Sequence, residues 1–569
     1  LERGLAAIGP VVDVVALDEL PMAAAREPAS RVAMQQGALD RRRDGADLAT
    51  DGDRCAGAVH VDVSRSRTSF WINSRPWLVL DEKRQTVMIQ LSMPERLESD
   101  AVARMLEDLG RADLGDPRRV SRAQHVVKRL AAKPDASLPD ALVTDAELEG
   151  AYRLFSNDSV SFERLFDAHA AGTAERARGS AVVLAIHDTT QCVFRHADPA
   201  EVGYLNTGKP GFPLHLTLLV DTREWRRPLG LTHAEILPRS KPPRRRGTKH
   251  KQPSSHLSSK DPEREFLRWH RGIELTEARL TASGTTIIHV ADRESDSYVL
   301  MATCLQQNQR FIFRARNNRN AVCDGVSIPI RDLIDGSEVV LEREVPLSRR
   351  LGASVPRSRR AHPPRDSRVA RLCFTQTKVT FQRPRIVGAH MPKTIDVNVL
   401  HVFEEDAPEG QAPVDWLLYT TEPLDTSKQI ENVVDYYRCR WQIEELNKAL
   451  KTGCVVQERR LESLDALTTM LALSLPIAVE LLAVRTLARA DSSSPAKLVL
   501  HEQELAALRH ISHRPLPKNP TVQDALWCIA GLGGHIKNNG PAGWQVLQRG
   551  MEKFVVFAAG WCAAKGLDL

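Results

Sequence analysis

The stretch DYYRCRWQIEELNKALKTG, residues 435–453, decides how the rest of the chain is read. Tyr437, Arg440, Glu444, Lys448 and Lys451 follow steps of 3, 4, 4 and 3, the spacing that stacks side chains on one face of an α-helix. Ile443, Leu446 and Leu450 mark an apolar face beside it. The spacing predicts one amphipathic helix over 435–453. Taken alone, its polar stripe also reads as a solvated ladder, Arg440–Glu444–Lys448, with each ion pair contributing only ~0.3–0.5 kcal/mol.

Upstream sequence gives the stripe a second reading. SAVVLAIHDTT (180–190) is an unbroken apolar run, the pattern of a strand buried on both faces, and is expected to end at Asp188. TTIIHVADRESDSYVLM (285–301) reads as a second buried strand ending at Asp292. Between them, FPLHLTLLVD (212–221) and LGLTHAEIL (229–237) read as two strands of a meander, and PEREFLRWHRGIELTEARL (262–280) as a helix. Sites in open α/β sheets are built at the carboxyl ends of strands. Asp188, Asp292 and Glu444 can therefore converge, two from strand ends and one from a helix. Such a set of hard oxygen donors suits two Mg2+ ions, with Mn2+ as a substitute. A pair of ions ~4 Å apart serves phosphodiester displacement, one side for the attacking oxygen and one for the leaving oxygen. Arg440, Lys448 and Lys451 would then bind phosphates beside the scissile bond, and the Tyr437 hydroxyl would add a hydrogen bond. A strand-end Asp also serves as a helix N-cap, so neither Asp188 nor Asp292 is decisive alone.

The 569 residues imply several domains. Hydrophobic and charged contents of 42% and 26% are those of a globular chain, and 78 Lys and Arg against 72 Asp and Glu give a net charge of +6, which permits a polyanionic partner. Basic, Pro-interrupted loops at 241–252 and 348–365 could lie along a phosphate backbone or simply be solvated. Nine cysteines without a C-x-x-C pair argue against a disulfide framework or a structural zinc site. The longest uncharged apolar run, ALTTMLALSLPIAV (466–479), is too short to cross a bilayer and contains Pro476. A cytoplasmic protein with no membrane partner is expected. Residues 1–92 show little sustained period, and Met93 is expected to be the natural start, with 1–92 upstream reading frame or a poorly ordered extension. Residues 93–168 read as a small basic helical domain, 310–420 as strands forming a β-rich insertion, and the chain beyond Gly453 as helical.

The segment YRCRWQIEELNKALKTG resembles the Y-x2-R-x3-E-x6-K signature of the insertion-sequence-four family of bacterial DDE transposases, at Tyr437, Arg440, Glu444 and Lys451. AIHDTTQ and VADRESD are similar to that family's two Asp motifs; DLGDPRR (113–119) and EGAYRLFSN (149–157) are similar to its amino-terminal DNA-binding domain; and GLGGHIKNNGPAGWQVLQRG (531–550) is similar to its carboxy-terminal segment. The resemblance spans about 98–569. It implies an α/β fold: a ribonuclease-H-like core at 169–310 and 430–485, interrupted by the β-rich insertion at 311–429. An N-terminal DNA-binding domain at 93–168 and a helical dimerisation domain at 486–569 would flank that core. It also implies cut-and-paste transposition on double-stranded DNA, the transposon ends and a target, by a homodimer associated with the bacterial nucleoid. The steps would be a nick, a hairpin, its opening and strand transfer. Trp416 matches the family's base-stacking tryptophan, a task suited to an aromatic ring. Arg314 and Arg316 match its DNA-contacting basic residues, and Arg118, Arg119 and Arg122 are placed in the end-reading domain. His187 is expected to pack rather than bind metal, and Cys439 and Cys454 to be incidental.

Three other readings are set against this one. A silent end-binding repressor would have no chemical need for Asp188, Asp292 and Glu444. A ribonuclease-H-like nuclease without strand transfer would not need Trp416. A small-molecule hydrolase is disfavoured by the lack of a G-x-S-x-G elbow, a phosphate-binding G-x-x-x-x-G-K-[ST] loop or an H-E-x-x-H helix.

Overall fold

The computed structural model describes residues 68–72, 75–82, 85–90, 98–223, 226–240, 265–323, 325–347, 364–490, 493–536 and 542–565. The basic loop 241–252, nearly all of 348–365 and part of 531–550 lie outside these residues. Inside the segment read as an extension, β1 (Thr68–Ile72), β2 (Arg75–Glu82) and β3 (Gln85–Gln90) form a three-stranded antiparallel sheet in a unit of its own. Short apolar runs such as WLVL and VMI carried that signal, which the sequence reading passed over.

The second unit is built on one large sheet. β4 (Val182–Val193), β5 (Gly211–Asp221) and β6 (Pro228–Ile236) form the expected antiparallel meander. β7 (Thr286–Ala291) pairs parallel to β4, and β8 (Arg310–Arg314) parallel to β7. Five strands thus lie in the order β6-β5-β4-β7-β8. The same sheet continues through β9 (Asn320–Cys323), β10 (Val326–Pro329), β11 (Val339–Leu347), β12 (Arg368–Gln382), β13 (Thr394–Glu404) and β14 (Asp415–Thr420). The β-rich stretch is therefore an extension of the central sheet, joined through the β14–β8 pair, and the expected boundary at 310/311 falls inside β8.

Helices cover both faces. α1 (Glu98–Gly110), α2 (Pro117–Ala132) and α3 (Asp145–Phe155) make the amino-terminal helical region, followed by α4 (Phe162–Ala177), α5 (Leu267–Leu280) and α6 (Tyr298–Gln306). α7 (Ser427–Arg438), α8 (Trp441–Lys448) and α9 (Leu464–Ala490) follow the sheet, and α10 (Glu502–Ile511), α11 (Val522–Leu532) and α12 (Trp544–Lys565) end the described chain. The expected boundaries at 168/169 and 485/486 fall inside α4 and α9, so neither region is cut off at those points. Period-two alternation sorts the sheet's side chains. Leu184, Ile186, Ile288, Val290, Ile312 and Leu418 face α7–α9 and the amino-terminal helices, whereas Phe311, Phe313, Leu417 and Tyr419 face α5 and α6.

α9 corrects the membrane argument. It runs straight through Pro476, and Leu464–Leu487 is by length and composition long and apolar enough to cross a bilayer. Yet 83% of that stretch is buried inside the fold, as befits a central helix. Its apolar side chains are used within one chain. The eight described cysteines are unbridged.

Candidate active site

The parallel β4–β7 ladder ends at the pair His187–Ala291, so Asp188, still within β4, and Asp292, the first residue after β7, each follow that last pair, near enough for the charge of Asp292 to act on Asp188. Asp188 does not end its strand, as the sequence reading expected. β4 continues to Val193 because β5 still pairs with it, from Thr189–His215 to Val193–Gly211. Asp188 ends the parallel ladder rather than the strand. Both aspartates continue the alternation of Ile186 and Val290 and thus face the side covered by α7 and α8.

The segment 435–453 is not one continuous helix. α7 stops at Arg438, α8 starts at Trp441, and Ala449–Gly453 opens into a π turn closed by Cys454 N–H onto the Ala449 carbonyl (2.8 Å). At the first break the bonds tighten to i→i+3, Cys439 to Tyr436 (3.1 Å) and Arg440 to Tyr437 (3.0 Å). The cause is distant in sequence. Arg226 donates through Nη1 to the Asp435 carbonyl (2.5 Å), the acceptor that an unbroken helix would give to the Cys439 N–H. Gln442 Nε2 in turn donates to the Arg226 carbonyl (3.1 Å). Ile443, Leu446 and Leu450 are fully buried as expected.

The polar stripe divides at these breaks. Arg440 donates to Glu444 Oε1 (2.5 Å) with its side chain 15% exposed. Burial opposes the Arg440 charge, but Tyr437, Glu444 and Asp188 outweigh it and raise its affinity for the proton. Asp188 is pushed up to about 7 by burial first and then by the charge of Asp292, with Glu444 adding to this and Arg440 opposing it. Lys451, on the π turn, donates to Thr190 Oγ1, and burial lowers it against the pull of Cys192 and Asp188. Lys448 is not brought to the carboxylates: it pairs with Glu445 (2.9 Å) and lies over the Trp441 ring (4.6 Å). Asp292 serves as an N-cap, accepting from Glu294 N–H (2.9 Å), the structural one of the two roles open to a strand-end Asp.

Trp416 and Arg314 reach the same face. Tyr437 meets the Trp416 ring edge to face at 5.4 Å, and the Arg314 guanidinium lies 5.8 Å from its centre. Tyr437 is buried, and its hydroxyl has no hydrogen-bond partner among the described residues, a costly arrangement that a ligand oxygen would relieve. Arg316 is exposed in the loop after β8.

Two residues of this site were missed in the sequence. Asn447 donates through Nδ2 to Asp188 Oδ2 (3.1 Å), while its buried Oδ1 has no partner among the described residues. Its position three residues after Glu444, on the same helical face, was the available signal. Arg293 follows Asp292 directly, and burial and the Arg314 charge lower its affinity for the proton.

On the opposite face, His187 packs as expected. It is fully buried and bridged to His289 Nδ1 and Thr217 Oγ1 (2.9 Å each), and burial keeps it uncharged. Cys439 and Cys454 are buried, with thiols directed at the carbonyls of Asp435 and Ser474. Among the described residues no three His, Cys, Asp or Glu side chains are drawn together as a ready metal cage. The donor chemistry nevertheless fits divalent cations: the hard oxygen donors of Asp188, Asp292 and Glu444 lie within reach of one another's charge, with Glu444 bonded to Arg440.

In the amino-terminal region, Asp116 caps α2 and Pro117 opens it. Arg118 is 92% exposed and paired with Asp116 (2.9 Å), Arg119 donates to the Leu114 carbonyl (2.7 Å), and Arg122 packs over Gly150. Glu147 ties α2 to α3; Arg129, with His125 and the Val143 N–H, holds it down at about 2 against burial.

A family model described as Transposase DNA-binding matches residues 105–160, and one described as Transposase DDE domain matches residues 270–478. The chain is a DDE transposase, an enzyme acting on DNA. The match to the DDE domain takes in Asp292, Trp416 and Glu444 and begins beyond Asp188. A DDE domain implies dependence on a divalent metal.

Proposed function

We propose that this transposase is of the insertion-sequence-four type and moves DNA by cut-and-paste, with Asp188, Asp292 and Glu444 as its catalytic carboxylates. The observation that carries this reading is that Asp188 and Asp292 directly follow the last pair of the β4–β7 ladder, with the charges of Asp292 and Glu444 both acting on Asp188 and Arg440, at the start of α8, bonded to Glu444. The strand order β6-β5-β4-β7-β8, with β4, β7 and β8 mutually parallel, supports a ribonuclease-H-like core.

Two Mg2+ ions, replaceable by Mn2+, would be held by the three carboxylates and supply activation of the attacking oxygen and charge stabilisation at the leaving oxygen. The chain's own groups do the rest. Tyr437, Arg440, Lys451 and Arg314 present donors to the phosphates on either side of the scissile bond, with Arg316 and Lys448 on the exposed rim. Arg440 balances the carboxylate charge, so that an anionic strand can approach. Trp416 holds a base displaced from the stack while the freed 3′-OH attacks the opposite strand to form a hairpin. Arg118, Arg119 and Arg122 belong to the domain that reads the transposon ends, and a homodimer would bring two ends together before strand transfer into target DNA. The work is done in the bacterial cytoplasm, on the nucleoid.

Two outcomes check this reading. Arg440→Ala is expected to weaken DNA binding and to reduce the slope of log affinity against log salt by about 0.9, the share of one neutralised phosphate. An unchanged slope would leave Arg440 as a purely structural partner of Glu444. Trp416→Ala is expected to nick normally but to form hairpins roughly 10- to 100-fold more slowly, as the loss of one base–aromatic stack implies. The experiment is a denaturing gel on an end-labelled duplex carrying the transposon end. Normal hairpin yield in Trp416→Ala would overturn the stacking role of Trp416, whereas nicks without any hairpin from the wild type would favour a nuclease that hydrolyses without strand transfer.

A further inference from the structure

Four residues beyond Asp292 lies another aspartate, and one loop consumes its carboxylate completely. Asp296 Oδ2 accepts from Arg316 N–H (2.7 Å), Asn317 N–H (2.9 Å) and Asn317 Nδ2 (3.2 Å). Its Oδ1 accepts from Arg319 Nε (2.8 Å) and Nη2 (2.6 Å), and its main-chain carbonyl also accepts from Nη2 (2.9 Å). The side chain is fully buried. A carboxylate offers about four lone-pair sites, so five donors leave no capacity for a cation. Asp296 is thus spent on the fold of residues 316–319.

That fold has a direction. The Ala315 N–H still continues the sheet ladder onto the Leu417 carbonyl (2.8 Å), but the next two N–H groups turn away to Asp296. Ile330 N–H and Arg331 N–H close the far side of the loop onto the Arg319 carbonyl (2.8 Å) and Asn318 Oδ1 (3.1 Å). Arg319 is half-buried under the loop, whereas Arg316, Asn317 and Asn318 are exposed. Among the described residues the Arg316 guanidinium has no ion-pair partner. On the catalytic side, Ser295 Oγ donates to the Asp292 carbonyl (2.7 Å) and Asp296 N–H to the Arg293 carbonyl (3.4 Å), so one tight turn joins Asp292 to Asp296.

We propose that Asp296 is a positioning residue that fixes the Arg316–Asn318 loop as a rim for the phosphodiester backbone, at a set place beside Asp292. Arg316 supplies the charge and the Asn318 amide a neutral donor. The inference rests on the DNA-cleaving reading of Asp292.

The test uses the full chain and an end-labelled duplex with the transposon end. Wild type, Asp296→Asn, Arg316→Ala and the double variant are compared, with Asp292→Asn as a control. The isosteric Asp296→Asn is expected to stay folded by its thermal melt and to raise the DNA concentration for half-maximal cleavage roughly tenfold, with the rate at saturation nearly unchanged. Its salt slope should fall by about 1, as for Arg316→Ala. In the double variant the two losses should not add, because both act through one contact. Fully additive losses, or a slower rate at saturation with an unchanged salt slope, would overturn the positioning role. A lowered melting temperature with unchanged half-saturation would reduce Asp296 to a stabilising residue and overturn it equally. Full cleavage by Asp292→Asn would instead overturn the reading of the active site.

Discussion

Glu444→Gln is expected to lower DNA cleavage by about 10³-fold or more while leaving binding to transposon ends within a few-fold of wild type. The charge of Glu444 acts on Asp188, and its carboxylate is held by Arg440 at 2.5 Å. The substitution keeps the side chain's size but removes what the proposed function makes one of three anionic oxygen ligands. Several kcal/mol of transition-state stabilisation pass through such a ligand, and each 1.36 kcal/mol is about tenfold in rate. The match to a transposase DNA-binding domain covers residues 105–160, far from Glu444 in sequence, and on the proposed reading that region carries end binding. Single-turnover cleavage and a gel-shift titration measure the two quantities separately. Parallel losses in both would mean that Glu444 supports the fold or the DNA interface rather than the chemistry.

The next residue along should affect stability instead. Glu445 is 3% exposed and meets Lys448 at 2.9 Å, Arg485 at 3.1 Å and Arg489 at 3.9 Å. Burial works against its charge, but Arg485, Lys448 and Arg489 together hold it below the usual carboxylate range. Burial and the like charge of Arg489 push Arg485 down to about 9, with Glu445 opposing them. Glu445→Ala takes that carboxylate away from two arginines packed between α8 and α9. Breaking a buried ion pair on one side costs about 3–5 kcal/mol, so the denaturant midpoint should fall accordingly. Because α8 also carries Glu444 and Asn447, cleavage should fall as well. A stability loss below about 1 kcal/mol would show the cluster to be solvated and the α8–α9 contact to rest on apolar packing alone. Adjacent glutamates would then have failed to divide chemistry from anchoring as their burial predicts.

Much of this site was legible because its signals are short-range. Alternating strand faces, the apolar runs ending near Asp188 and Asp292, and the Ile443–Leu446–Leu450 face each span only a few residues. What escaped depends on partners far along the chain. Nothing within 435–453 marks the break at Cys439–Arg440, since it arises from Arg226 capturing the Asp435 carbonyl 209 residues away. The continuation of β4 past Asp188 depends on β5, and the passage of α9 through Pro476 on burial around it. Lys448 had the right spacing but is retained by Glu445, a residue that the stripe did not include. The β-rich stretch looked like a separate insertion because its strands follow one another between Pro- and Gly-containing loops, while its attachment through β14 and β8 is a long-range pairing.

The most direct measurement incubates the full chain with Mg2+ and a plasmid carrying the element's own ends, and resolves the products on a denaturing gel. The account predicts hairpinned ends and strand-transfer joints from the wild type, and neither from Asp188→Ala. Joints that persist in Asp188→Ala, or end binding by the wild type with no cleavage at all, would contradict it.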